Sequence, residues 1–116
     1  MATDSDCLFC KIVNRELPAE VVYEDDELLA FSDISPQAPT HLLIIPKHHV
    51  ATVNDLTESD VDIPGKLVLR ARALAAEKGI AESGYRLIFN CNRAGGQTVY
   101  HIHLHLLGGR QLTHLG

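Results

Sequence analysis

Five of the seven histidines in this chain fall into two clusters, Pro46-Lys47-His48-His49 and His101-Ile102-His103-Leu104-His105. The second cluster alternates histidine with apolar residues. On a β-strand, side chains alternate with period two, so His101, His103 and His105 would leave one face about 6.5–7 Å apart while Ile102, Leu104 and Leu106 enter a core on the other. On a helix His103 would point about 200° from its neighbours, so only strand geometry makes a shared site. Three imidazoles on one face can ligate zinc or copper, or supply nucleophile, acid and base near neutral pH. The bland alternative is a solvated strand face, which normally draws Thr, Lys, Glu and Ser as well. Just upstream, Gly95-Gly96-Gln97-Thr98 joins two conformationally free residues to two side chains able to donate to phosphate oxygens. That composition suits an oxyanion, and it suits an ordinary hairpin connection too. Cys7-x2-Cys10 has the spacing of half a tetrahedral zinc site and needs two further ligands, although cysteines so spaced in a short helix are often simply buried.

The elements that must position these groups read as α+β. Cys7–Val13 is a short apolar segment with room for one or two helical turns. Val21–Glu24 and Leu28–Asp33 read as a hairpin joined by the acidic turn Glu24-Asp25-Asp26-Glu27. His41–Pro46 reads as a buried strand ended by proline. Asn54 to Asp60 supplies several N-cap residues, and Leu67, Leu69, Ala71, Leu74 and Ala75 recur at helical spacing until Gly79. Pro64-Gly65 either occupies the first turn of that helix or breaks a longer one. Tyr85–Asn90 and Val99–Leu107 read as strands separated by a turn at Arg93-Ala94-Gly95-Gly96, and the strands lie close enough in sequence to pair antiparallel.

With 116 residues the chain has room for one domain, 1–116, and its composition, 46% hydrophobic and 22% charged, is that of a folding globular protein. A net charge of −5 argues against a broad nucleic acid face. No apolar run is long enough for a membrane span, and the acidic, polar start Met1-Ala2-Thr3-Asp4-Ser5-Asp6 does not read as a secretory signal, so a cytoplasmic location is expected. Three cysteines make no disulfide framework, which favours reduced thiols or a metal site.

Gly95-Gly-Gln-Thr-Val-Tyr-His-Ile-His-Leu-His-Leu-Leu-Gly-Gly-Arg110 resembles the signature of the histidine triad (HIT) superfamily, in which three histidines alternate with apolar residues. Phe31-Ser-Asp-Ile-Ser-Pro-Gln-Ala-Pro-Thr-His-Leu-Leu-Ile-Ile-Pro-Lys-His-His49 is similar to the nucleotide-binding half of its Hint branch, and the likeness spans nearly the whole chain. The resemblance implies a five-stranded antiparallel sheet with one long and one short helix, continued across a homodimer. It implies a hydrolase of nucleoside 5′-monophosphate derivatives of the adenosine 5′-phosphoramidate type, with a purine nucleotide as substrate and no organic cofactor. By motif position His103 would be the nucleophile that carries a covalent nucleotidyl intermediate. Gln97, Thr98 and His105 would stabilise the phosphorus transition state, and His105 would also protonate the leaving amine. His41 would support proton transfer, as would His101 if free of metal. Asp33 would accept from ribose hydroxyls, Phe31 and Ile34 would line the base pocket, and Asn90 would lie near the phosphate. Without the resemblance, Asp33 reads as a turn residue and Phe31 and Ile34 as core.

Relatives that bind structural zinc close a site like Cys7 and Cys10 with the positions occupied here by His49 and His101. Two departures stand out: Thr98 replaces a common serine, and the tail Gln111–Gly116 lacks the tryptophan-containing end of some eukaryotic relatives. Three other readings compete: a dinucleoside polyphosphate hydrolase of the Fhit type, a nucleotide-binding scaffold with little turnover, and a simple zinc-binding protein, which would make no use of His103 or the Gly-Gly-Gln-Thr turn. The Asp33-Ile-Ser-Pro-Gln-Ala-Pro-Thr-His41 segment favours the Hint type, and an intact triad argues against a mere binder.

Overall fold

The computed structural model describes Asp4 and residues 6–116. Five antiparallel strands form one sheet in the order β1-β2-β3-β5-β4: β1 (Val21–Glu24), β2 (Leu28–Ser32), β3 (Thr40–Pro46), β4 (Tyr85–Phe89) and β5 (Leu104–Gly108). A long helix α2 (Asp62–Glu77) covers one face and a short helix α1 (Leu8–Val13) the other. Because both faces of β3 are covered, His41 to Pro46 is buried at every residue, which explains its continuous apolar run. On the α2 side, Leu42, Ile44, Leu104 and Leu106 pack with Leu67 and Leu74. On the α1 side, Leu43, Ile45 and Phe31 pack with Phe9 and Cys10.

The local chemistry explains the turns. Asp25 accepts from the Glu27 and Leu28 amides at 2.8 Å each, closing the β1–β2 hairpin. Thr52 with Asp55 and Thr57 with Asp60 form capping boxes on two 3₁₀ turns before α2, while α2 itself starts without a side-chain cap. Pro64 sits in the first turn of α2, where its missing N–H costs nothing, so the helix is unbroken.

The largest departure from the sequence reading is at the start of the last strand. The expected strand Val99–Leu107 enters the ladder only at Leu104, and of the triad only His105 lies on a strand. The β3–β5 pairing runs from Thr40 opposite Gly108 to Ile44 opposite Leu104. Two residues further on, the same register would put Ile102 opposite Pro46. Pro46 has no N–H to donate, and its carbonyl accepts instead from His101 Nε2 at 2.7 Å. Ile102 turns its own N–H to Val50 O at 2.7 Å. The chain bends through Val99, Tyr100 and His101 before joining the ladder at Leu104, so the hydrogen bonds of this stretch leave the sheet.

Two glycines give opposite expectations. Gly109 has φ +95°, and an added Cβ would lie 2.9 Å from Pro39 Cβ, so Gly109→Ala lowers stability by about 1–3 kcal/mol in urea unfolding. Gly65 lies in α2 with nothing within 4 Å of an added Cβ, so Gly65→Ala raises stability by about 0.5–1 kcal/mol in the same assay.

Candidate active site and metal centre

The strand register assembles the first group. Leu43 stands opposite His105, so His41, two residues earlier on β3, is a diagonal neighbour of His105 on the α1 face. Their rings meet with centroids 5.2 Å apart and His41 Nε2 lies 2.9 Å from His105 Nδ1. His103, just before β5, presents its ring edge-on to His105 at 4.9 Å. His103 Nδ1 lies 2.7 Å from the carbonyl of His101. A carbonyl only accepts, so Nδ1 carries the hydrogen and a neutral His103 keeps a lone pair on Nε2. Phe9 of α1 stands edge-on to both His103, at 5.1 Å, and Phe31, at 5.3 Å.

These side chains line one cavity of about 550 Å³, within the range typical of small-molecule sites. Phe31 forms its buried apolar wall, Ile34 stands 97% exposed at its mouth, and Gly96 and Thr98 border it. Asp33 also faces it: Oδ1 accepts from the Ser35 amide at 2.8 Å, as a turn residue does, while Oδ2 lies 3.4 Å from His41 Nε2. Burial holds His41 and His103 below the ordinary imidazole range and pushes His105 down to about 4, helped by its histidine neighbours. The group is therefore neutral at pH 7. A neutral imidazole with a free lone pair can attack an electrophile, and the adjoining ring can carry a proton to what leaves.

Two residues expected near the phosphate are bonded to the backbone of the glycine loop and its surroundings. Gln97 is buried, and its carboxamide is fully engaged: Oε1 accepts from the Asn92 amide at 2.9 Å, and Nε2 donates to Ala51 O at 2.8 Å and Val99 O at 3.0 Å. With both amide hydrogens given to the backbone, it braces the glycine loop from inside. Asn90 lies outside the cavity wall and donates from Nδ2 to Gly95 O at 2.6 Å, holding the same loop from the other side. Conversely, Phe9 and Gln37 line the cavity without having been singled out in the sequence. The Cys7–Val13 pattern marked Phe9 only as part of an apolar helix, and Gln37 lay unassigned within a quoted motif.

The second group gathers Cys7, Cys10, His49 and His101, whose ligand atoms lie within 4.8 Å of one another. Cys7 caps α1, with Sγ accepting from the Cys10 amide at 3.3 Å. His101 is fully buried and gives its Nε2 hydrogen to Pro46 O, so its Nδ1 lone pair faces Cys7 Sγ at 3.4 Å and Cys10 Sγ at 3.5 Å. His49 turns Nε2 toward Asp4 Oδ2 at 3.6 Å and Nδ1 toward Cys10 Sγ at 3.3 Å. Both rings thus carry the outer-partner arrangement that frees a nitrogen for a metal. Burial pushes His101 down to about 4, keeping it neutral as ligation requires. Burial also pushes the Cys10 thiol up to about 11, an opposition that a cation would relieve. These four residues fit a tetrahedral metal ion and could hold one.

His105 makes a pH prediction. Its folded value near 4 lies below the ordinary 6.5, so its contribution is intact above pH 6.5 and drains as pH falls toward 4, because the unfolded chain takes up a proton the folded ring refuses. The urea midpoint therefore drops across that window, and it drops less in His105→Asn.

Comparison with known proteins agrees with this architecture. The sequence pattern described as HIT domain matches residues 14–112. The purine nucleoside phosphoramidase of Escherichia coli strain K12 is 56% identical over 105 residues, covering 90% of this chain and 88% of the relative. A HIT family hydrolase from Legionella pneumophila Philadelphia 1 is 62% identical, with TM-score 0.91 over 92% of this chain and 96% of that one. A HIT family hydrolase from Clostridium thermocellum is 50% identical, with TM-score 0.94 over 97% of this chain and 98% of its own. With the pattern running from the end of α1 to beyond β5 and the same fold in solved relatives, the chain belongs to the HIT domain family.

Proposed function

We propose that this protein is a hydrolase of purine nucleoside 5′-phosphoramidates that works through a covalent nucleotidyl intermediate on His103. The observation that carries the reading is the pairing of His103, with Nε2 free and Nδ1 bonded to a carbonyl, and His105 over one cavity that also presents Asp33. The 56% identity to a protein named purine nucleoside phosphoramidase supports the substrate class. In this reading the base lies against Phe31 and Ile34, the ribose hydroxyls donate to Asp33, and the phosphate sits by Thr98 and the glycine loop.

His103 Nε2 attacks phosphorus, the phosphorus–nitrogen bond to the amine breaks, and the amine leaves with the Nε2 proton of His105, the negative charge left on the His105–His41 pair being matched by the positive nucleotidyl imidazolium on His103 until water returns the proton. The nucleotidyl imidazolium keeps its Nδ1 hydrogen on the His101 carbonyl, which stabilises the positive charge without a further proton transfer. Water then adds to phosphorus and passes a proton to His105, and the bond to His103 breaks to release the nucleoside monophosphate. His41 stands behind His105 in this relay.

Zinc is the metal proposed for Cys7, Cys10, His49 and His101. Cys7, Cys10, His49 and His101 would hold it, which would tie α1 to the two histidine segments and give the ion a structural part, with no position left for substrate. The protein acts as a cytoplasmic homodimer in this reading. The edge strand β4, half-buried along its length, and the adjoining, mostly apolar surface formed by Leu69, Arg72, Ala73, Ala76, Ala81 and Tyr85 support the pairing of two copies.

Intact-mass spectrometry after an early quench with adenosine 5′-phosphoramidate tests the chemistry. The wild type gains one adenylyl group and releases AMP, while His103→Asn gains none and loses at least about a thousandfold in rate. AMP release by His103→Asn at the wild-type rate would sink the nucleophile assignment. Failure of the wild type to turn over would favour the binding-protein reading, and activity confined to dinucleoside polyphosphates the Fhit-type one. Metal analysis gives about one zinc per chain, lost in Cys7→Ser together with Cys10→Ser. Light scattering gives twice the chain mass.

A further inference from the structure

The proton that the proposed mechanism draws from His105 has to sit on Nε2, the nitrogen not engaged by His41. A neutral imidazole places its single hydrogen on either nitrogen with little intrinsic preference, so something must choose. The choice originates outside the triad, in the loop between β2 and β3. The backbone amide of Gln37 points at His41 Nδ1, 3.0 Å away. A backbone N–H only donates, so Nδ1 must offer a lone pair and a neutral His41 carries its hydrogen on Nε2. That hydrogen lies 2.9 Å from His105 Nδ1 and 3.4 Å from Asp33 Oδ2, and the shorter contact makes His105 Nδ1 an acceptor. His105 then holds its hydrogen on Nε2. We propose that the Gln37 amide is a tautomer lock, a positioning group that acts through His41 to make His105 a proton donor to the cavity.

The lock completes a matched pair. His103 is set by an acceptor, the His101 carbonyl, and so exposes a lone pair; His105 is set at one remove by a donor, the Gln37 amide, and so exposes a hydrogen. Neither arrangement needs a charged ring, in keeping with the burial of both.

The same amide decides a second matter. Asp33, His41 and His105 bring three ligand atoms within 4.8 Å of one another, on distances alone a candidate for a divalent ion. Ligation through His41 Nε2 would require the ring hydrogen to move to Nδ1, where it would confront the Gln37 N–H, or to leave as an imidazolate. The lock therefore keeps metal out of this group. The Cys7, Cys10, His49 and His101 group has no such obstacle, since each of its histidines directs a lone pair inward.

This inference rests on the proposed proton transfer for its role but not for its test. Long-range proton–nitrogen spectra of histidine-labelled wild-type protein distinguish a ring nitrogen that bears hydrogen from one that bears a lone pair. The expected pattern at pH 7 is hydrogen on Nε2 of His41 and of His105, and on Nδ1 of His103. Hydrogen on Nδ1 of His41 or His105 overturns the proposal, whatever the enzyme hydrolyses. Gln37→Ala keeps the amide and leaves the pattern unchanged. An amide-to-ester replacement at residue 37 removes the N–H and lets His41 populate the Nδ1 form, with kcat falling about tenfold or more while KM stays within about twofold. Retention of the wild-type pattern in the ester protein overturns the lock. Zn²⁺ added to the wild type moves the His49 and His101 signals alone; ligation at His41 and His105 refutes the exclusion. The wild-type spectrum decides the tautomers even if the ester protein does not fold.

Discussion

The hydrogen bond from His101 to the carbonyl of Pro46 is the constraint on which the site depends. It stands at the point where the β3–β5 ladder stops, and it occurs because proline offers no N–H to continue the ladder. Through it His101 serves in three directions at once. Its Nε2 hydrogen holds the end of β3, its Nδ1 lone pair faces the two cysteines, and its carbonyl receives the Nδ1 hydrogen of His103. Each use fixes the next, so the metal group and the reactive imidazole share one fully buried residue. Displacing His101 would disturb both.

Backbone groups do most of the remaining positioning. The Asn92–Thr98 segment carries few apolar side chains of its own, yet Gln97 ties it to Ala51 and Val99, and Asn90 clasps Gly95. A buried carboxamide with every donor satisfied holds a loop more firmly than an apolar side chain of equal size, because moving it would strand polar atoms away from water. The result is an exposed glycine loop on the cavity rim that a buried side chain holds in place from beneath.

Helix α1 is the other support. Six residues are too few to form a stable helix alone, and α1 persists through what it touches: Phe9 against Phe31, His101 and His103, and Cys10 among the four sulfur and nitrogen donors. Its packing closes the α1 face of the sheet and forms one side of the cavity. The electrostatics follow from that closure, since desolvation is the largest influence on His41, His103 and His105 alike, and it keeps a dense histidine group uncharged.

Much of this was written in the local sequence. Period-two alternation did put His103 and His105 toward the cavity and Leu104 and Leu106 into the core under α2, because that outcome depends only on local backbone geometry. The apolar run of β3 announced burial on both faces, and the helical spacing from Leu67 to Ala75 announced α2. Motif resemblance gave roles to Asp33 and His41, while the Cys-x2-Cys spacing marked the cysteine pair. What the sequence could not contain was direction at the level of single hydrogens and amides. That Gln97 turns inward, that β5 begins three residues after His101, and that the Gln37 amide meets His41 all depend on which backbone groups lack partners once the sheet has closed. Such vacancies exist only in the assembled fold, because a donor is spare or satisfied according to neighbours dozens of residues away.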